Sequence, residues 1–420
     1  MTNLAWNVER VLPSAIADLH RLISIPSISS MPEHDADVAA CADAVSGLFR
    51  DLGASEVKLL DGGGKPAVWA NFPGPEGSPT VLLYAHYDVQ PTGDADAWTS
   101  PAFEPTERDG RLYARGSADD KGGVALHVAA LRVFNGKPPV GVKVFIEGEE
   151  EVGSPSMPTL LDRYRDELAA DVYVVADSVN WEVGKPSLTT SLRGVAACEV
   201  TVSTLAEGLH SGQFGGVVPD ALTALCRLLA TLHDEAGNVA IEGLVSGTAP
   251  DLDYPEDRLQ EETGLLEGVS QTGDGSVVER MWFKPSASVL AIDATPVAKA
   301  SNTLIPSARA KVSVRLAPGQ DPAAAARALE EHLRSNAPWG ARVEIDSEQA
   351  GAPSRITLDG PRAEAVPGSV WGRGRGDRLR GIDPDRRRVR RPQPRRPGAG
   401  DRRHRPELAD ARHRRVAGPR

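Results

Sequence analysis

The stretch VLLYAHYDVQP, residues 81–91, decides how the fold is interpreted. Its first five residues are apolar or aromatic, which is typical of a strand buried on both faces in a parallel sheet under helices. Because ligands bind beyond the carboxyl ends of strands in such sheets, His86 is a candidate metal ligand that Asp88 would orient. A single histidine in this position is more often a structural residue, so the interpretation depends on further donors.

Acidic residues follow other predicted elements in the first half of the chain. Asp119 lies in the loop RGSADDKGG, residues 115–123, which opens onto a predicted helix at 124–134. A helix N-cap is the alternative role for such an aspartate. The segment EGEEEVGS, residues 147–154, follows a predicted strand at 140–146, and Asp177 follows another at 172–176. A solvated acidic turn is the alternative for the glutamates, whose charges repel one another unless cations are present.

Together, these segments supply nitrogen and oxygen donors and no thiolate, namely His86, Asp119, Glu150, Glu151 and Asp177. Such a donor set suits zinc, manganese or cobalt. A second glutamate beside a ligating glutamate suits a general base for a metal-bound water. The convergence is more specific than any one of its members, and it predicts a metal site.

The order of the predicted elements indicates two domains of different class. Strands and helices alternate up to Asp177, which predicts an α/β fold with a mostly parallel sheet flanked by helices over residues 1–186. After Pro186 the pattern changes to strands at 194–203, 286–292, 308–316 and 341–345, with helices at 219–233 and 322–334. We therefore expect an inserted α+β domain over residues 187–350.

Composition narrows the class of protein. The three cysteines lie far apart, which fits a reducing compartment and excludes a zinc site built from cysteines. Residues 1–12 show no secretory signal, and no apolar run approaches the ~18 residues that a membrane span needs. These features predict a cytoplasmic protein without a membrane partner. The net charge of −11 divides into +12 for residues 361–420 and −23 for the remainder, which argues against nucleic acid as a partner.

Residues 351–420 form an aberrant tail rich in Arg, Pro and Gly. From residue 361 onward there are nineteen Arg, no Lys and only eight of Val, Ile, Leu and Trp. Such a composition predicts disorder, because too few apolar side chains are available to form a core. Two explanations stay open: an out-of-frame translation of GC-rich coding sequence, which we favour, and a genuine basic tail that binds RNA or an acidic surface.

Six stretches in chain order carry a resemblance to a known family: Tyr84–Pro91, Gly116–Gly123, Glu147–Ser154, Val175–Ser178, Leu209–Gly216 and Asn302–Arg315. They resemble the two-zinc amidohydrolase family of carnosinases, cytosolic dipeptidases, glutamate carboxypeptidases, aminoacylases and succinyl-diaminopimelate desuccinylase. The wording of Tyr84–Pro91 and Glu147–Ser154 is most similar to the dipeptidase branch.

The resemblance implies a role for each matching residue. His86 and Asp177 would hold one Zn²⁺, Asp119 would bridge two, and Glu151 would ligate the second. Glu150 would be the general base, and Asp88 would support His86. Residues 187–350 would form a lid that is also the homodimer interface. In that domain His210 would stabilise the oxyanion in the other subunit's active site, while Asn302 and Arg315 would bind the substrate's carboxylate.

The implied function is a zinc-dependent dipeptidase that hydrolyses small peptides with a free C-terminal carboxylate, through a water that bridges the metals and is activated by Glu150. An N-acyl amino acid amidohydrolase of the same family is the alternative within the enzyme class. The family's last zinc-binding histidine, followed by Pro-Asn-Glu, is missing, since neither His404 nor His413 has that context. A catalytically defective homologue, or a binding protein with a basic tail, is therefore the alternative of another class.

Overall fold

The structure is a computed structural model that describes residues 4–178, 180–181, 187–348, 350–356 and 369–370. Most of the tail that was predicted to be disordered, including His404 and His413, lies outside the described residues, whereas Ser354–Arg355 and Ser369–Val370 within it form short strands. The elements up to Asp177 are, in chain order, α1 (Leu4–Ile23), α2 (Asp35–Asp51), β1 (Glu56–Leu60), β2 (Ala67–Phe72), β3 (Thr80–His86), β4 (Thr106–Arg108), β5 (Arg111–Tyr113), α3 (Lys121–Val133), β6 (Gly141–Glu147), α4 (Met157–Arg163), α5 (Arg165–Leu168) and β7 (Val172–Val175).

Five of these strands form the central sheet, in the order β1-β2-β6-β3-β7. Strands β6, β3 and β7 pair in parallel, whereas β2 is antiparallel to both β1 and β6. All strands except β2 therefore point the same way, which confirms the predicted α/β class with a mixed sheet. The reversed direction of β2 was not predicted, because short apolar strands carry no signal for their direction.

Two apolar cores cover the two faces of the central sheet. On one face, alternate residues such as Val68 and Val144 pack with α2 and α3, and on the other Trp69 and Phe145 pack with α4 and α5. The two sets follow from the two-residue period of a strand, which sends successive side chains to opposite faces. Helices therefore cover both faces of the sheet, as predicted.

One predicted strand belongs elsewhere. The sequence also predicts a strand at 111–114, after a turn at 109–110. This strand is β5, which pairs with β4 in a separate two-stranded hairpin. The hairpin turns at Asp109 and Gly110, both of which have positive φ. Asp119 consequently does not follow a strand of the central sheet, as the sequence suggested, but lies in the turn before α3.

The remaining elements are β8 (Ser187–Leu188), β9 (Ser191–Leu192), β10 (Gly194–Ser203), β11 (Leu209–His210), α6 (Ser211–Phe214), α7 (Ala221–Ala230), α8 (Glu256–Thr263), β12 (Ser286–Asp293), β13 (Thr303–Leu304), β14 (Ser307–Leu316), α9 (Pro322–Ser335), β15 (Arg342–Ser347), β16 (Ser354–Arg355) and β17 (Ser369–Val370). Four of them form an antiparallel sheet in the order β12-β14-β10-β15. Helices α7 and α9 pack on one face of this sheet. The two larger sheets share no strand, while the domain boundaries at 186 and 350 stay predictions.

Among the described residues, no helix combines the length and apolar character that crossing a membrane requires.

Strand β7 is the last strand of the central sheet and is exposed on both faces. Tyr173, Val174 and Val175 are 59%, 41% and 59% exposed. Within the part of the chain described here, β7 pairs only with β3, so its other edge offers unpaired backbone groups. An apolar edge strand of this kind is a site for pairing with another chain.

Replacing Val175 with lysine should therefore reduce self-association, because a charged side chain on an edge strand discourages addition of another strand. Light scattering over a concentration series measures the effect. The matched control is Leu126→Lys, since Leu126 is 62% exposed on α3, where no strand edge is available. Equal association of the Val175→Lys variant and the parent would contradict this prediction.

Candidate metal centre

His86 ends β3 with a buried ring that faces two different environments. Its Nδ1 lies 3.1 Å from the backbone oxygen and 3.3 Å from Oδ1 of Asp88. Its Nε2 lies 3.0 Å from Asp119 Oδ1, 3.9 Å from Glu150 Oε2 and 4.0 Å from Asp177 Oδ2. Donation from Nδ1 to the Asp88 oxygens leaves Nε2 as the ligating atom, directed into a group of carboxylates.

Asp88 is fully buried and connects the end of β3 to the acidic segment. Its Oδ2 accepts hydrogen bonds from Ser29 Oγ at 2.6 Å and from the backbone amide of Glu151 at 3.1 Å, and its Oδ1 accepts from the amide of Glu150 at 3.2 Å. One carboxylate thus positions the imidazole and both glutamates of the short 3₁₀ helix Glu150–Val152.

The four glutamates of the acidic segment have different roles in the structure. Glu147 accepts a hydrogen bond from the Tyr84 hydroxyl at 2.7 Å, and Glu149 accepts from the amides of Lys65 and Ser156 at 2.9 and 2.7 Å. Both are buried. Glu150 and Glu151 remain to face the histidine, as the sequence predicts. A solvated acidic turn is therefore wrong for this segment.

The adjacent aspartates before α3 also divide. Asp120 is fully buried, and its two oxygens accept from the amides of Gly123 at 3.1 Å and His86 at 3.2 Å. It is the N-cap of α3, so the alternative role considered for Asp119 belongs to its neighbour. Asp119 is 67% exposed in its side chain and contacts His86 Nε2.

Two groups of donors have ligand atoms within 4.8 Å of one another: His86, Asp119 and Glu151, and His86, Asp120 and Asp177. Because both oxygens of Asp120 accept backbone amides, we assign Asp120 to the structural role. An imidazole nitrogen among carboxylates fits zinc, manganese or cobalt. Among the described residues, both groups use the same histidine, and no second histidine joins them.

Burial and mutual repulsion hold protons on this cluster. Burial raises the pKa of Glu150 to about 7; nearby His86 opposes this, while the charges of Asp177 and Glu151 add to it. Burial likewise raises the pKa of Glu151 and of Asp177. Burial alone would lower the pKa of His86, but the hydrogen bond and charge of Asp88 outweigh it and raise that pKa to about 10. A bound cation would relieve this repulsion.

The substrate residues expected from the resemblance lie in the second half of the chain. His210 ends β11, is exposed, and accepts a hydrogen bond through Nδ1 from the amide of Gly212 at 3.1 Å. Asn302 is close by, since its backbone oxygen accepts from the amide of Ser211 at 2.9 Å. Arg315 lies on β14, in the four-stranded sheet. Within the described part of the chain, no hydrogen bond or ion pair joins these side chains to the His86 cluster.

Comparison with known families shows to which family the chain belongs. The family model described as Peptidase family M20/M25/M40 matches residues 82–379, which is more than half of the chain. The chain belongs to this family. By family it is a metallopeptidase, and the resemblance identified from the sequence is confirmed.

Relatives of this M20 chain include dipeptidases. The cysteinylglycine-S-conjugate dipeptidase of Corynebacterium striatum is 36% identical over 368 residues, covering 86% of this chain and 80% of the relative. The beta-Ala-His dipeptidase of Rattus norvegicus is 28% identical over 340 residues, covering 74% and 69%. The di-peptidase Dug1p of Saccharomyces cerevisiae shares the fold, with a TM-score of 0.73 at 24% identity over 87% of this chain and 82% of that one.

Several residues at the candidate metal centre were missed from the sequence. Ser29 donates to Asp88 across 59 residues, and Gln90 Nε2 donates to Glu151 Oε2 at 2.9 Å. Lys121 is fully buried, and its Nζ donates to the backbone oxygens of Leu22 and Ile25 at 2.8 and 2.6 Å. Gln90 and Lys121 had a signal, since they lie inside the quoted stretches 81–91 and 115–123, whereas Ser29 had none.

Proposed function

We propose that this chain is a metal-dependent dipeptidase that hydrolyses the amide bond of small peptides with a free C-terminal carboxylate. The observation that carries the proposal is the convergence on His86 Nε2 of carboxylates from three other segments, those of Asp119, Glu150 and Asp177. Hydrolytic metal sites use this combination of imidazole and carboxylates. Relatives that act as dipeptidases support the substrate class.

The proposed roles are those that the family resemblance implies, and the proximity of Asp119, Glu150 and Asp177 to His86 Nε2 supports them. His86, Asp119, Glu151 and Asp177 would hold two Zn²⁺ ions, with Mn²⁺ or Co²⁺ as alternatives. Bound divalent metals polarise the amide carbonyl and lower the pKa of water. Glu150 then accepts a proton from the attacking water and returns it to the leaving amine.

The second half of the chain would bind the substrate and a second copy. His210 would stabilise the oxyanion, and Asn302 and Arg315 would bind the C-terminal carboxylate. Strand β12 is an edge of the four-stranded sheet with Leu290 and Ile292 59% and 42% exposed. This apolar edge supports the expected homodimer through residues 187–350.

Hydrolysis of Cys-Gly by the zinc-loaded chain tests the proposed function. The amount of amine released measures the rate. Cys-Gly should be cleaved at least tenfold faster than an N-acetyl amino acid, because relatives of this chain include dipeptidases named for cysteinylglycine or Cys-Gly substrates. Faster cleavage of the N-acetyl amino acid would favour the alternative of an N-acyl amino acid amidohydrolase. Cleavage of neither substrate would favour a defective homologue.

Zinc titration addresses the number of metal sites. One tight Zn²⁺ and a second, weaker one are expected per chain, hence fewer than two tight equivalents, because His86 is the one imidazole that the described donor groups share. Equilibrium dialysis with elemental analysis measures the stoichiometry. His86→Ala is the control, and it should bind no Zn²⁺ tightly. Two tight equivalents in the parent chain would contradict this expectation.

A further inference from the structure

Basic side chains on the open face of the four-stranded sheet are mostly paired with acids. Arg309, Lys311 and Arg315 alternate along β14 with buried residues and therefore lie on the face opposite the helices. Arg309 forms ion pairs with Asp293 at 2.6 Å and Glu199 at 3.0 Å. Lys311 forms an ion pair with Glu348.

Arg315 and a second arginine, Arg193, differ from these paired residues. Neither has an acidic partner among the described residues. Arg193 immediately precedes β10, and its Nη1 donates to Ser286 Oγ at 3.2 Å. Ser286 on β12 lies directly opposite Arg315 on β14, and Val195 on β10 lies opposite Arg315 on its other side. The hydrogen bond to Ser286 thus brings the Arg193 guanidinium beside Arg315.

The electrostatics of the pair agree with this geometry. Burial lowers the pKa of Arg193, which is only partly exposed, and the positive charge of Arg315 lowers it further. The like charges of neighbouring guanidinium groups repel each other unless an anion lies between them. Each guanidinium is a planar fork of donors that matches a carboxylate bidentately, so one carboxylate can satisfy both.

We propose that Arg193 and Arg315 together bind the C-terminal carboxylate of the peptide substrate, with Ser286 orienting the Arg193 fork. Arg193 is then a specificity-determining residue that the sequence did not indicate. This inference rests on the proposed dipeptidase function, because it assigns to the pair the carboxylate that such a substrate carries. It adds a second guanidinium to the single arginine expected at this position.

Binding of an uncleavable probe tests the inference. The probe is a dipeptide analogue with a methylene-amine in place of the scissile amide, prepared with a free C-terminal carboxylate and as the C-terminal amide. Calorimetric titration into the zinc-loaded full chain should show that Arg193→Gln weakens binding of the carboxylate form at least tenfold. Binding of the amide form should change less than twofold. Arg193→Lys keeps the charge without the fork and should lie between the parent and Arg193→Gln.

Arg309→Gln is the matched control, because it removes a paired arginine from the same face of β14 and should leave both dissociation constants unchanged. The inference is overturned if Arg193→Gln binds the carboxylate form as the parent does, if it weakens both forms equally, or if the parent does not prefer the carboxylate. Thermal melting identifies a variant that fails to fold, and Arg193→Lys then decides. Because the probe is not cleaved, failure of the proposed function appears separately, as a parent that does not hydrolyse Cys-Gly.

Discussion

Replacing Glu150 with glutamine is expected to lower kcat for Cys-Gly by at least a hundredfold while zinc remains bound. General acid–base catalysis contributes typically ~10²–10⁴-fold, and glutamine keeps the shape of the side chain without its proton acceptor. Glu150 Oε2 lies 3.9 Å from His86 Nε2, close to the candidate metal ligands. The amides of Lys65 and Ser156 donate to Glu149 and not to Glu150. Steady-state kinetics and zinc analysis of the same preparation measure the two effects.

The matched control for Glu150 is Glu107→Gln, an identical change at an exposed glutamate on β4. It should leave both kcat and zinc content at the parent values. Activity of Glu150→Gln within tenfold of the parent would remove Glu150 from the role of general base. Loss of zinc together with activity would instead place Glu150 among the ligands.

Replacing Asp88 with asparagine should weaken zinc binding ~10–100-fold and destabilise the fold by about 3 kcal/mol. Both oxygens of Asp88 accept hydrogen bonds, from Ser29 Oγ and the amides of Glu150 and Glu151. Either orientation of an asparagine amide therefore sets an NH₂ group against another donor. The change also removes the buried negative charge beside His86 Nδ1. Urea unfolding and competition with a chelator measure the two effects.

Ser29→Ala provides a graded comparison for Asp88→Asn. It removes one donor and leaves the carboxylate with both amides, so a loss of about 1 kcal/mol in the free energy of unfolding is expected, with little change in zinc affinity. If Asp88→Asn and Ser29→Ala had equal effects on zinc affinity, Asp88 would not be the group that orients His86.

Most of the fold could be predicted from the sequence, because apolar residues recur with a regular period along its strands and helices. The two-residue alternation of 194–203 predicted β10, whose residues are alternately buried and half-buried in the structure. The apolar run before His86 predicted β3, which extends one residue further at each end, over Thr80–His86. The hairpin β4–β5 was the error, since a short strand next to a turn has no feature that assigns it to a particular sheet.

The site was readable only in part, because local sequence does not determine contacts between distant segments. The donors could be identified, since His86, Asp119, Glu150, Glu151 and Asp177 follow predicted elements. The partition of the four glutamates could not, because it depends on Lys65, Ser156 and Tyr84 from other segments. Arg193 could not be identified either, since its significance comes from the cross-strand register of Ser286 and Arg315.

The exposure of β7 has a consequence for how the ion and the chain depend on each other. Asp177 follows this least-covered strand of the central sheet. The last backbone hydrogen bond between β7 and β3 is the one that the Ala176 amide donates to the Tyr84 oxygen at 3.0 Å. A cation shared by His86 and Asp177 would therefore cross-link two residues that are 91 positions apart and lie beyond that hydrogen bond. By thermodynamic linkage, each tenfold increase of free metal above its dissociation constant adds about 1.4 kcal/mol to the folded state. The rate of hydrogen exchange at the Ala176 amide would then report ion occupancy. The edge of the sheet would be more stable when metal is abundant and would open more often when metal is scarce.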